Sequence, residues 1–172
     1  MIQLLKIFKS LAIEFNASLT INGYPHDLEK QSEAQRSHYK LLIPYKKETL
    51  SLEYMVGAQH TASMSIIVEE ITEKCAFEVT TRSHFMSLFS GKANKVQVKS
   101  ENLDLKRMIE SNEHFLEMKR LIQNSRFEPL IFGKYTRDGY LMKTEYHLVF
   151  PKRTQEIHSL IHFHQALIDF VE

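Results

Sequence analysis

Nine histidines in a chain of 172 residues are the first features that suggest chemistry. His158 and His162 are four residues apart, so on a helix they share one face at metal-ligand spacing. A metal site needs at least one further ligand and support behind it. Glu156 and Asp169 complete no known motif, and no His-Glu-x-x-His occurs. His158, Gln165 and Asp169 share a polar strip, so the His158–His162 pair is expected to face solvent without an ion. His164 falls on an apolar row between Ile161 and Leu167, the position of a satisfied core histidine. His26, His38, His60, His84, His114 and His147 have no mutual spacing that argues for a site.

Other catalytic patterns fare no better. The five glycines, at 23, 57, 91, 133 and 139, are isolated, so neither a Walker loop nor a Gly-x-Gly dinucleotide loop can be built. The one cysteine, Cys75, sits among Glu69, Glu70, Glu73 and Glu78, with only Lys74 offering positive charge locally. A reactive thiolate wants an electropositive setting, so Cys75 reads as a small hydrophobe at a strand edge. No Gly-x-Ser-x-Gly elbow occurs. Glu69, Glu70 and Glu73 would serve acid–base chemistry only if burial split their pKa values, and a solvated turn is the commoner reason for such a run. No cofactor and no bound metal are expected.

Charge narrows the partners. The formal net charge is +1. Residues 1–86 hold 9 basic and 10 acidic side chains and residues 87–172 hold 13 and 11, so neither half is polarised. The footprint of a dedicated nucleic-acid binder is missing. Lys92, Lys95, Lys99, Lys106 and Arg107, with Phe85 and Phe89 upstream, are the nearest approach to a backbone-tracking groove. Glu101 and Asp104 interrupt them, and only weak, salt-dependent binding is expected. The N-terminal stretch to Phe15 is apolar, but Lys6 and Lys9 break it and no small-residue cleavage site follows, which makes a poor signal peptide. No uninterrupted apolar run approaches the ~20 residues a membrane-spanning helix needs. A single cysteine excludes a disulfide framework within the chain and points to a cytoplasmic location.

The elements that must position these residues follow from periodicity. Met1, Leu4, Leu5, Phe8, Leu11, Ala12 and Phe15 form a helical stripe over residues 1–15. A short strand is predicted at Ser18–Asn22, then a polar stretch at residues 27–37. In Thr49–Val56 the apolar Leu50, Leu52, Tyr54 and Val56 alternate with Thr49, Ser51, Glu53 and Met55; Ala62, Met64, Ile66 and Val68 alternate likewise with Thr61, Ser63 and Ser65. Period two marks a sheet with one wet face. With Tyr39–Tyr45 these make an antiparallel meander, and Lys46-Lys47 is a tight connection. Ala76–Thr81 and the Val96–Val98 region add short strands. Ser83 caps a short helix that Gly91 stops. Asp104–Glu110 and Asn112–Gln123 read as helices. Phe127–Tyr135 and Tyr140–Phe150 flank Arg137-Asp138-Gly139, in which Asp-Gly is a hairpin signal. Pro151 closes the strand, and Thr154 caps a helix running to Val171. Strands grouped with strands predict α+β: an antiparallel meander sheet packed by N- and C-terminal amphipathic helices, with a helical middle, as one domain over residues 1–172.

The last helix has more apolar surface than one sheet needs. Ile157, Leu160, Ile161, Leu167, Ile168 and Val171 form one face, and Phe163, Ala166 and Phe170 widen it to roughly 220° at 100° per residue. A stripe a little over about 100° suffices for a helix on a sheet. The surplus is covered by the first helix, or else Phe163, Ala166 and Phe170 mark a homodimer surface or a pocket wall. The function expected on these grounds is a non-enzymatic cytosolic domain that binds a protein partner or a small apolar ligand. An enzyme with a site assembled from scattered His and Glu residues, and a weak nucleic-acid binder through Lys92–Arg107, are the alternatives.

Overall fold

Period-two alternation becomes eight strands in one sheet. The computed structural model describes residues 2–23, 37–56, 60–69, 71, 75–81, 96–124, 127–147 and 153–172. In chain order the elements are α1 (Ile2–Glu14), β1 (Ser18–Asn22), β2 (Ser37–Tyr45), β3 (Glu48–Val56), β4 (Thr61–Val68), β5 (Phe77–Thr81), β6 (Val96–Ser100), α2 (Leu103–Ser111), α3 (Glu113–Asn124), β7 (Leu130–Thr136), β8 (Gly139–His147) and α4 (Arg153–Val171). The sheet order is β1-β2-β3-β4-β8-β7-β5-β6, and every pairing is antiparallel. The fold is therefore α+β, with helices from both termini and from the middle packed on the sheet. The expected helix after Ser83 falls outside the described residues.

The meander ends at β4. The β7–β8 hairpin is then laid beside it through β8, and the β5–β6 hairpin completes the far edge beyond β7. Register carries one inward-facing row across all the strands, apolar except for Thr144: Leu19, Leu41, Leu52, Met64, Thr144, Ile131, Val79 and Val98. Because side chains alternate faces, this row and its neighbours, Tyr39-Tyr54-Ala62-Tyr146 and Ile66-Met142-Gly133-Phe77, form the inner face. A Cβ at Gly133 would run into the Tyr140 hydroxyl and the Phe77 ring, so the missing side chain lets both rings close over β7.

Helices cover the inner face. From α1, Leu4, Phe8 and Leu11 are buried, and the Phe8 ring lies 5.2 Å from that of Tyr39 and 5.0 Å from that of Tyr54. Burying one such ring contributes about 1.5–3 kcal/mol. The helix ends in a left-handed residue, Asn16 at φ 48°, with the Ala17 N–H donating to the Ala12 carbonyl and the Asn16 N–H to Ile13. That pairing satisfies carbonyls the last turn leaves open. Two short helices, α2 and α3, are separated at Asn112, whose side chain accepts from the Phe115 N–H. Asn102 caps α2 by accepting from the Asp104 and Leu105 N–H groups.

Two local expectations shift by a residue. Helix α4 begins at Arg153, so Thr154 lies inside its first turn rather than before it. The β7–β8 turn is Arg137-Asp138, and Gly139, at φ 127°, is the first residue of β8, paired with Thr136. There it passes so close to β4 that a Cβ would sit 2.7 Å from the Val68 carbonyl oxygen. Glycine is required by that approach and by its own φ.

Candidate functional site

Helix α4 carries the residues singled out by spacing, and its three histidines have three different surroundings. His164 is fully buried. Its Nδ1 donates to the Leu160 carbonyl at 2.9 Å, leaving Nε2 to accept from the Thr144 hydroxyl at 3.3 Å. Burial, only partly offset by that carbonyl, pushes its pKa down to about 4, so the ring is neutral. It is the satisfied core histidine its row predicts.

His158 and His162 do not simply face water. His158 is half-buried, with Nδ1 2.7 Å from the Thr154 carbonyl and Nε2 2.9 Å from the Glu14 carboxylate of α1. His162, also half-buried, stacks on His114 of α3 with 4.9 Å between ring centroids, and its Nδ1 lies 3.0 Å from the Gln165 side-chain oxygen. The Phe15 ring touches both, at 5.8 and 5.7 Å. Among the described residues no three His, Cys, Asp or Glu side chains converge on a point suited to a metal ion.

The three interface candidates divide. Phe163 is 0 % exposed and packs on Phe115 of α3 at 5.5 Å, so it is core and not surface. Ala166 and Phe170 are half-buried. The surplus apolar arc is covered in large part by the middle of the chain, a cover that periodicity cannot assign. A buried carboxylate, Glu156, also lies on the inner side of α4, beside Tyr146, whose hydroxyl is 2.7 Å from that of Tyr54.

The proposed nucleic-acid segment is only partly placed, since Lys92 and Lys95 lie outside the described residues. Of the rest, Lys99 on β6 lies 3.9 Å from Glu78, and Arg107 on α2 lies 3.3 Å from Asp104. Cys75 is buried, with its carbonyl accepting from the Tyr140 hydroxyl.

The arrangement that single-strand patterns miss is on the other face of the sheet. Register places Lys40, Glu53, Ser63, Glu145 and Leu130 in one row and Leu42, Ser51, Ser65, Lys143 and Phe132 in the next. Small hydroxyl side chains on β4 (Thr61, Ser63, Ser65) make a floor. Longer side chains of β3 and β8 stand on either side. The result is a trough of about 490 Å³ lined by Glu53, Met55, Thr61, Ser63, Glu128, Leu130, Lys143, Glu145 and His147 among others. Both walls carry ion pairs: Lys40 to Glu53 at 3.0 Å with His38 at 3.2 Å, and Lys143 to Glu145 at 2.6 Å. Partial burial raises the Glu53 pKa, but Lys40 and His38 outweigh it and hold the carboxyl below its ordinary range. Met55 and Ile67, 51 % and 42 % exposed, add apolar surface to the same face. The signal was present as the polar positions of three alternating strands, but only pairing brings those strands side by side.

Comparison of the chain with known protein families, with curated proteins and with solved structures finds no match.

Proposed function

We propose that this protein is a non-catalytic binding module that receives a protein partner on the open face of its sheet, seated along the β4 trough. The observation that carries this reading is the trough itself, broad, lined by charges of both signs and bordered by exposed Met55, Ile67 and Leu130. Pockets for small molecules are enclosed and mainly apolar. This one is half-open, and its lining mixes charged and hydroxyl groups with Met55, Ala62 and Leu130, which suits a protein surface of mixed chemistry better than a small, wholly apolar ligand. Charged groups already paired with neighbours suit recognition, where complementarity sets specificity; proton transfer calls instead for a group with its pKa moved toward neutrality. A second copy of the chain is one candidate for that partner, and the self-matching mixture of Lys and Glu on the two walls supports it. A cytoplasmic setting rests on the lone cysteine, and no helix among the described residues is long and apolar enough to cross a membrane.

A photo-cross-linking residue placed at position 55, with a control at exposed Arg107 on the helical side, tests this in the source cell. A discrete protein adduct from position 55 and none from position 107 is the expected result, and its mass separates a second copy from a different protein. Adducts from both positions alike, or from neither, overturn the proposal.

A further inference from the structure

The seam where α1, α3 and α4 meet has a proton built into it. His158 and His164 each direct Nδ1 at the carbonyl four residues back, Thr154 and Leu160. They differ in what faces Nε2. For His164 it is a hydroxyl, which donates as readily as it accepts, so a neutral ring satisfies both contacts. For His158 it is the Glu14 carboxylate, with both oxygens within 3.0 Å. A carbonyl and a carboxylate only accept, so a ring that bonds to both must carry protons on both nitrogens. Only the imidazolium completes the bridge.

We propose that protonation of His158 fastens the C-terminal end of α1 to α4, making the helical layer of this protein sensitive to pH near neutrality.

The surrounding groups reinforce the direction. Glu14 comes from α1. From α3, Glu117 accepts from Gln155 and Ser159 of α4 at 2.7 and 2.8 Å, and Glu113 lies 3.6 Å from His114. His114 stacks on His162, and Phe15 seats against His158 and His162 together. Glu14 of α1 and Glu117 of α3 thus act on His158 from two sides, with Arg120 of α3 partly offsetting Glu117, and a proton on the His158 ring is favoured by both carboxylates. Partial burial pulls the His158 pKa down, but the Glu14 carboxylate and the Thr154 carbonyl outweigh it, and the net shift is upward. A raised folded-state pKa means stability that is present at acid pH and is lost as pH rises through the folded value. Deprotonation removes one of the two hydrogen bonds and the ring's positive charge, so the ion pair with Glu14 that anchors the last turn of α1 is lost while the buried Phe8 and Leu11 keep the helix on the sheet.

The experiment is a histidine ring NMR titration together with hydrogen exchange, corrected for intrinsic rates, at about pH 6 and about pH 8.5, which bracket the histidine range. In the native protein the His158 signal, assigned by its loss in His158→Gln, titrates above the ordinary histidine value, and protection of the amides from Leu11 to Phe15 falls several-fold between the two pH values. In Glu14→Gln the His158 midpoint drops and the protection no longer depends on pH. Protection that is independent of pH in the native protein, or a His158 midpoint unmoved by Glu14→Gln, overturns the proposal. Should Glu14→Gln fail to fold, His158→Gln carries the same test, because its α1 protection must be low and flat at both pH values; high protection there overturns the proposal equally.

Discussion

At the residue scale, two histidines on one helix are held in opposite charge states, His164 by complete burial beside a hydroxyl and His158 by a carboxylate at a half-buried position. The buried one gives a direct prediction. The folded-state pKa of His164 is about 4 against an unfolded value of 6.5. The unfolded chain therefore binds its proton first as pH falls, and stability present above pH 6.5 is lost progressively toward pH 4. The full shift is worth roughly 3 kcal/mol. Urea unfolding between those pH values should show that decline, and His164→Gln should flatten it while lowering stability at neutral pH. A second prediction concerns Phe163. With its ring wholly buried against Phe115, Phe163→Ala should cost about 3–5 kcal/mol and leave the association state of the folded protein unchanged by light scattering. The apolar position was legible from spacing. Its covering partner was not, because helical periodicity states which side is apolar and not what lies against it.

At the element scale, the ends of the helices depend on single asparagines. Asn16 closes α1 in the left-handed region, where a residue with an ordinary Cβ costs roughly 1–2 kcal/mol. Asn16→Ala should lower the unfolding free energy by about 1 kcal/mol, and Asn16→Gly should be neutral or stabilising. Asn102→Ala, which removes the acceptor for two N–H groups of α2, should cost about 1 kcal/mol. Circular dichroism with denaturant measures all three. A cost at Asn16→Gly equal to that of Asn16→Ala would show that the side chain matters and not the conformation. The Ser111-Asn112 break and the Lys46-Lys47 connection are visible in sequence because turns and caps are local chemistry. The β7–β8 turn is displaced by one residue from its sequence signal because Gly139 answers to the Val68 backbone of a strand far away in the chain.

At the scale of the whole molecule, the two faces of the sheet have different duties, and neighbouring residues of β4 separate them. Ser63 stands in the open trough and Met64 in the core. Ser63→Lys should change stability by no more than about 0.5 kcal/mol, as surface substitutions do, whereas Met64→Lys should prevent folding by burying an unpaired charge. Thermal melts of the two variants decide it, and a collapse in Ser63→Lys would mean that the face is covered.

What the residues determine alone is local and periodic. Alternation in Thr49–Val56 and Ala62–Val68 specifies strands with one apolar side, because side chains on a strand alternate by covalent geometry. The stripe over residues 1–15 and the row from Ile157 to Val171 specify helices for the same kind of reason. Strands grouped in the chain then specify an antiparallel sheet. Tertiary structure decides which strands become neighbours. It lays β8 on β4, and so sets Lys143, Glu145 and His147 across from Glu53 and Met55, from a part of the chain some ninety residues away. It also brings Glu14 to His158. Polar residues on an open face obey no burial constraint, so nothing in their own pattern records their partners, and the trough and the seam exist only once the core has chosen the register.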